Sequence, residues 1–293
     1  MSTSRRDFIK ILATLPLASS SFASDGHSEK NGDLASNGTS YSVLMDSTLC
    51  VGCRKCEWAC NDKNHLPNKD ISTFEDTSVF AFRRRPEVDK FTVVNKIQSL
   101  KEQQTIKIQC MHCLHPACAS ACIVGALKKQ ECGAVTYDAD KCIGCRYCMV
   151  ACPFQIPAYE YKNVLTPKVQ KCSFCVDKLE KGEKPACVEM CPNEAMTFGT
   201  RAELIEVANS RMHQHPEKYF HHIYGEYEAG GTSWLYLSQI DLRGSEFPQL
   251  SSDPIPKLTE TIQHGIFKNF VPPLALFTLL GVAMHSLKDK DRD

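Results

Sequence analysis

The chain has 293 residues, 43% of them hydrophobic and 23% charged, which is enough for one large domain or two smaller ones with buried cores and excludes a wholly disordered chain. Lys and Arg number 34 and Asp and Glu 34, so the basic excess that marks a nucleic-acid binder is missing and no nucleic-acid partner is expected. The anomaly is 17 cysteines, more than the 15 glycines or the 15 prolines.

In chain order, Ser4-Arg5-Arg6-Asp7-Phe8-Ile9-Lys10 precedes an apolar stretch from Ile11 to Ala18 and small residues up to Ala23. This predicts a twin-arginine signal peptide over 1–23. Export after folding suits a cysteine-rich chain, because thiols that emerge unfolded into an oxidising compartment form disulfides. Residues 24–40 are polar and rich in Ser, Gly and Asn, and are expected to be a flexible lead-in. The cysteine-rich domain is expected over 41–199, with strands at Tyr41 to Met45, Phe91 to Ile97, Thr105 to Gln109 and Ala134 to Tyr137. Thr200-Arg201-Ala202-Glu203 has the form of a capping box. It opens an amphipathic helix with Leu204, Ile205, Ala208 and Met212 on its apolar side, at the start of an extension over 200–265.

Asn269 to Leu287 carries no charge and lies between Lys268 and the charged run 288–293. It would reach roughly 28 Å as a helix, about one hydrocarbon core, and predicts a single transmembrane anchor over 269–287 with the C-terminus inside. A helix that starts only at Pro272-Pro273 would reach about 24 Å, and a buried C-terminal helix is the alternative.

All the cysteines except Cys132 fall into four groups: Cys50, Cys53, Cys56, Cys60; Cys110, Cys113, Cys118, Cys122; Cys142, Cys145, Cys148, Cys152; and Cys172, Cys175, Cys187, Cys191. The first and third read C-x2-C-x2-C-x3-C, and Pro153 completes the bacterial ferredoxin run in the third. Three cysteines at such gaps wrap one corner of an iron–sulfur cube. The trailing cysteine begins the next element and serves the other cluster of a pair. The second and fourth groups keep the plan with wider gaps. Sixteen thiolates suffice for four 4Fe-4S clusters. Zinc would use two C-x2-C pairs and leave the remaining cysteines idle. Disulfides fit poorly, because cysteines three apart in a loop point to a common centre.

Cys132 reads as a turn residue with a free thiol. His112 and His115 lie within the second group and read as packing residues, since all four local cysteines are present. Arg54, Lys55, Lys141, Arg146 and Lys171 flank the ligands, either as offsets to cluster charge or as a solvated basic edge. His264 and His285 raise the thought of haem, but one span does not supply two facing ligands. No GxGxxG, phosphate loop or substrate site is evident, so the chain is expected to be non-catalytic.

The four-group order, the twin-arginine start and the C-terminal span resemble the multi-cluster iron–sulfur subunits of membrane-bound respiratory oxidoreductases, a family that includes formate dehydrogenase beta subunits and dimethyl sulfoxide reductase B subunits. Asp46 to Cys53, Gln109 to Cys113, Gly144 to Pro153, Phe198-Gly199-Thr200-Arg201, Tyr224-Gly225-Glu226 and Gly230-Gly231-Thr232 carry the resemblance and look most like the hydrogenase-2 branch. It implies an α+β fold of two interleaved bacterial-ferredoxin-like modules with a C-terminal extension and a single transmembrane helix. It also implies nested ligand sets: Cys50, Cys53 and Cys56 with Cys191; Cys60 with Cys172, Cys175 and Cys187; Cys110, Cys113 and Cys118 with Cys152; and Cys122 with Cys142, Cys145 and Cys148. The sequence departs from the ferredoxin rule at Cys60-Asn61 and Cys122-Ile123, where proline is absent.

The function so implied is an electron relay on the periplasmic side of the inner membrane, between the small and large subunits of a nickel–iron hydrogenase and a polytopic, quinone-interacting membrane subunit. The alternatives are the same relay serving formate dehydrogenase or a nitrite or sulfur-compound reductase, and a structural or assembly factor that uses clusters for folding and docking.

Overall fold

The computed structural model describes residues 40–98, 103–163, 168–261 and 277–284. The expected signal peptide, nearly all of the lead-in, and His264 and His285 lie outside these residues, as does the 269–287 span apart from 277–284. Residues 277–284 are helical, with Phe277, Leu279, Val282 and Met284 exposed. Among the described residues no helix is long and apolar enough to cross a membrane.

In chain order the elements are β1 (Tyr41–Asp46), α1 (Lys55–Lys63), β2 (Val93–Gln98), β3 (Gln103–Ile108), α2 (Ala117–Ser120), β4 (Leu127–Lys129), β5 (Val135–Tyr137) and α3 (Tyr147–Ala151). They continue with β6 (Ala158–Tyr159), β7 (Val169–Gln170), α4 (Val176–Leu179), α5 (Ala186–Glu189), β8 (Met196–Thr200), α6 (Arg201–Gln214) and β9 (Trp234–Leu237). This is the mixed α and β content expected. The four strands foreseen form as β1, β2, β3 and β5.

β1 is the centre of a three-stranded sheet, antiparallel to β8 and parallel to β9. Because side chains alternate along a strand, β1 and β9 each serve two cores. Val43 and Met45 of β1 and Trp234 and Tyr236 of β9 face the cysteine loops. Leu44, Leu235 and Leu237 face the other way and pack on Leu204, Ala208 and Met212 of α6. Burial of a leucine such as Leu204 contributes about 1.5–3 kcal/mol. The expected capping box is present: Thr200 Oγ1 accepts from Glu203 N at 3.4 Å, and Glu203 Oε2 accepts from Thr200 N at 3.0 Å. The boundary expected at 199/200 falls between β8 and α6, and the chain beyond it returns to the sheet as β9.

The motifs singled out in the extension converge on Arg201. Its guanidinium donates to the carbonyls of Thr232 (3.1 Å), Gly225 (3.3 Å) and Glu226 (2.6 Å). The remaining sheets are the hairpins β2–β3, β4–β5 and β6–β7. α1 packs on α5, which joins the first and fourth cysteine groups, and α2 packs on α3, which joins the second and third. The two modules are therefore nested, one inside the other along the chain.

Candidate metal centres

The four cysteine loops share one backbone device. The residue ahead of the second cysteine is left-handed in every loop: Gly52 (φ 73°), His112 (φ 47°), Gly144 (φ 70°) and Phe174 (φ 60°). Arg54 (φ 60°), Arg146 (φ 62°) and Cys175 (φ 47°) are left-handed as well and begin α1, α3 and α4. Mixed right- and left-handed residues turn successive N–H groups to one side and form a concavity suited to an anionic group, iron–sulfur clusters included.

The trailing cysteines also share a turn. Glu194, Gln155 and Gly125 are left-handed. Their N–H groups donate to the carbonyls of Cys191 (3.3 Å), Cys152 (3.0 Å) and Cys122 (3.1 Å). The turn after Cys122 thus forms without proline. Cys60 differs, because α1 runs past it to Lys63.

These loops bring distant cysteines together. Cys50, Cys53 and Cys56 meet Cys191 around a cavity of about 370 Å³. Cys60 meets Cys172, Cys175 and Cys187 around one of about 310 Å³, and Cys122 meets Cys142, Cys145 and Cys148 around another of about 310 Å³. Cys113 lies within electrostatic reach of Cys110, Cys152 and Cys118. Cys132 lines none of these three cavities. It is half-buried in a turn, and its carbonyl accepts from Tyr41 N at 3.2 Å.

Among the described residues no three His, Cys, Asp or Glu side chains converge on the position of a single ion. The thiols instead line the walls of voids, whereas zinc draws its sulfurs to about 2.3 Å from one centre. Four thiol donors around an enclosed space, with amides turned inward, fit a 4Fe-4S cube. Amide groups already reach sulfur: Ala126 N to Cys122 Sγ at 3.2 Å, Phe174 N to Cys172 Sγ at 3.3 Å, and Asn64 Nδ2 to Cys60 Sγ at 3.6 Å.

Burial, with neighbouring thiolates adding to it, holds the Cys56, Cys60 and Cys113 thiols well above the usual range. Burial likewise pushes Cys118 and Cys172 up to about 12 and Cys148 up to about 11. The folded cavities therefore disfavour bare thiolates, and a bound metal would displace the protons and supply the opposing charge.

The first two cavities share Lys107 in their walls. Across the sets, Cys56 lies within electrostatic reach of Cys187, Cys172 of Cys110, and Cys118 of Cys148.

The basic residues foreseen from sequence separate into two kinds. Arg54 pairs with Glu57 at 3.1 Å, Lys141 pairs with Asp138, and Arg146 lies 5.4 Å over the Tyr159 ring. Lys171, buried like Arg54, instead donates from Nζ to the carbonyls of Val135 and Cys172. His112 packs as expected. Its Nδ1 accepts from Val135 N at 2.8 Å and its ring stacks on Phe174 at 4.7 Å. Burial and then Lys171, Lys129 and Lys107 hold it neutral, well below the usual histidine range.

Lys107 and Lys129 escaped the sequence reading. Lys129 Nζ donates to Gly133 O at 2.7 Å and His112 O at 3.0 Å, and burial lowers its pKa to about 8. Lys107 is 1% exposed and lines both the first and the second cavity. One cue was present: Thr105, Lys107 and Gln109 form a polar face on the strand that leads straight into Cys110.

Comparison with known proteins agrees with this geometry. Residues 102–201 match the 4Fe-4S dicluster domain family. The hydrogenase-2 operon protein HybA of Escherichia coli O157:H7 is 36% identical over 96% of this chain and 94% of its own length. The nitrate-inducible formate dehydrogenase iron–sulfur subunit of Escherichia coli K12 is 29% identical, with 83% of each chain covered. A protein of Nitratidesulfovibrio vulgaris is 46% identical over 80% of this chain, and the match spans 64% of that relative's length. The chain belongs to the family of 4Fe-4S iron–sulfur subunits that contains these hydrogenase-2 and formate dehydrogenase proteins.

Proposed function

We propose that the chain is a non-catalytic electron-transfer subunit that holds four 4Fe-4S clusters and relays electrons between a periplasmic nickel–iron hydrogenase and a quinone-reactive integral membrane subunit. The observation that carries this reading is the convergence of distant cysteine loops on common cavities, Cys50, Cys53 and Cys56 with Cys191, Cys60 with Cys172, Cys175 and Cys187, and Cys122 with Cys142, Cys145 and Cys148, the first two sharing Lys107 in their walls. When bound, such clusters supply one-electron redox chemistry. The sixteen cysteines hold them in the nested sets, three of which line the cavities described, and buried Val43, Met45, Ile106, Ile108 and Trp234 exclude water around them. Coverage of 94% of the hydrogenase-2 operon protein supports the hydrogenase as client.

The wider organisation belongs to the same proposal. Residues 1–23 direct twin-arginine export, 24–40 are a lead-in, 41–199 form the four-cluster domain, 200–265 the extension, and 269–287 anchor the chain to the inner membrane with the clusters on the periplasmic side.

The test is hydrogen oxidation by membranes with and without this chain, using a quinone analogue or a small artificial dye as acceptor. Loss of the quinone-linked rate with survival of the dye-linked rate is expected. Unchanged rates with both acceptors would overturn the hydrogenase assignment and favour a formate dehydrogenase client, given the similarity to those subunits. Clusters that fail to reduce reversibly, followed by electron paramagnetic resonance, would favour a structural or assembly role.

A further inference from the structure

Lys107 presents an electrostatic problem. It is fully buried on β3, yet among the described residues no carboxylate lies within ion-pairing distance of its Nζ. An ammonium removed from water without compensation costs several kcal/mol and would shed its proton. Its neighbours hold it in place all the same. Nζ donates to Gln109 Oε1 at 2.9 Å and lies 4.5 Å over the Trp234 ring. Gln109 Nε2 in turn donates to Tyr236 Oη at 2.6 Å, and that hydroxyl donates to the Lys107 carbonyl at 3.0 Å. The side chain is therefore tied back to its own backbone through two residues, and it points into the wall shared by two cavities.

What offsets the charge is sulfur. Lys107 borders the cavity of Cys50, Cys53, Cys56 and Cys191 and that of Cys60, Cys172, Cys175 and Cys187. The eight cysteines of these two sets would be thiolates once they hold clusters, and a cluster on four thiolates carries net negative charge that would offset the buried ammonium from both sides. Among the described residues no lysine lines the cavity of Cys122, Cys142, Cys145 and Cys148, while Lys171 acts on Cys118 and Lys129 lies by Cys110 and Cys113, all of the second group.

We propose that Lys107 is a counter-ion shared by the first two cluster sites, a fixed positive charge that makes both clusters easier to reduce than the cysteines alone would. The ammonium keeps its proton throughout, so reduction of either site adds one electron and moves no proton at Lys107. The inference rests on the ligand sets proposed above. Lys107 acts through charge as a positioning and tuning residue and touches no substrate.

The test is a redox titration of the full chain in its membrane complex, followed by electron paramagnetic resonance, with Lys107→Met, Lys107→Gln and Lys107→Arg beside the parent. Iron per chain is measured first. A parent without clusters would refute the ligand sets themselves, separately from the role of Lys107. In a loaded protein, the neutral variants are expected to lower the reduction equilibrium of two clusters about tenfold, or about 59 mV for a one-electron couple, while the other two stay put. Lys107→Arg is expected to restore them. Unchanged potentials, an equal shift of all four, or the same shift in Lys107→Arg as in Lys107→Met would overturn the proposal. Loss of iron from both neutral variants with full loading of Lys107→Arg would support it, because charge is what separates them. Loss of iron from all three variants would overturn it in favour of a packing role.

Discussion

His112 and Phe174 hold the same position in two different cysteine loops and stack on each other at 4.7 Å, both with left-handed backbone. The equivalent residues in the other two loops are Gly52 and Gly144. An L residue pays about 1–2 kcal/mol for this conformation. The two rings offset that strain by packing on each other, and Phe174 packs on Trp234 as well.

The first prediction follows from that pair. Phe174→Ala should destabilise the loaded protein by about 3–5 kcal/mol, since the side chain is 1% exposed and also contacts Trp234. Phe174→Gly loses the same ring but relieves the backbone, so it should be the more stable variant by about 0.5–1 kcal/mol. Thermal midpoints of the two would decide, and an alanine variant equal to or above the glycine variant would remove the strain argument.

Asp46 joins the sheet to the extension. Its carboxylate is fully buried and accepts from Arg211 at 3.2 Å, Tyr219 Oη at 2.8 Å, and Thr48 through N at 3.0 Å and Oγ1 at 2.6 Å. Asp46→Ala leaves these donors without their acceptor and should cost about 3–5 kcal/mol. A denaturant midpoint within error of the parent would show that water replaces the carboxylate.

Two glycines separate strain from crowding. Gly225 (φ +96°) would place a Cβ 2.4 Å from both Thr232 Oγ1 and the Trp234 carbonyl, whereas Gly244 (φ +77°) has nothing within 4 Å. Gly244→Ala should cost about 1–2 kcal/mol from conformation alone. Gly225→Ala should cost at least about 1–3 kcal/mol more from overpacking. Equal losses in urea titrations would mean that the Arg201-centred turn yields freely.

Iron content tests the ligand sets directly. Cys191→Ala should lose iron from the site it shares with Cys50, Cys53 and Cys56, while Cys132→Ala should keep the parental ratio of iron to protein. Removal of iron by a chelator under reducing conditions should loosen the packing of α1 on α5, because the cysteines that line the cavities beside them come from opposite ends of the domain. Retention of parental near-ultraviolet dichroism after complete iron removal would contradict that coupling.

Much of this was legible in the residues. Cysteine spacing marked the loops, alternation marked β1 and β5, and Thr200 with Glu203 marked the start of α6. Other features were hidden for physical reasons. β9 reads Trp-Leu-Tyr-Leu, buried on both faces, so it has no polar alternation to betray it. Lys107 looked like an ordinary strand lysine, because only the folded chain shows cysteines from opposite ends on both sides of it. The left-handed conformation of His112 and Phe174 has no signature in those residue types, although Gly52 and Gly144 at equivalent positions hinted at it.

The proposed nesting of the ligand sets also implies a timetable. A polypeptide leaves the ribosome from its N-terminus, and in these sets the inner pair of sites would have every thiol once Cys152 has emerged. Cys50, Cys53, Cys56 and Cys60 are made first, yet their sites would stay open until Cys187 and Cys191 arrive, and the sheet that covers them waits for Trp234. Alkylation of nascent chains stalled after Cys152 has cleared the ribosome but before Cys187 has should therefore label the 50–60 thiols while those of 142–152 are already shielded. The earliest thiols to be synthesised would then be the last to be protected, and the cell's reducing power would be needed for the whole time of translation.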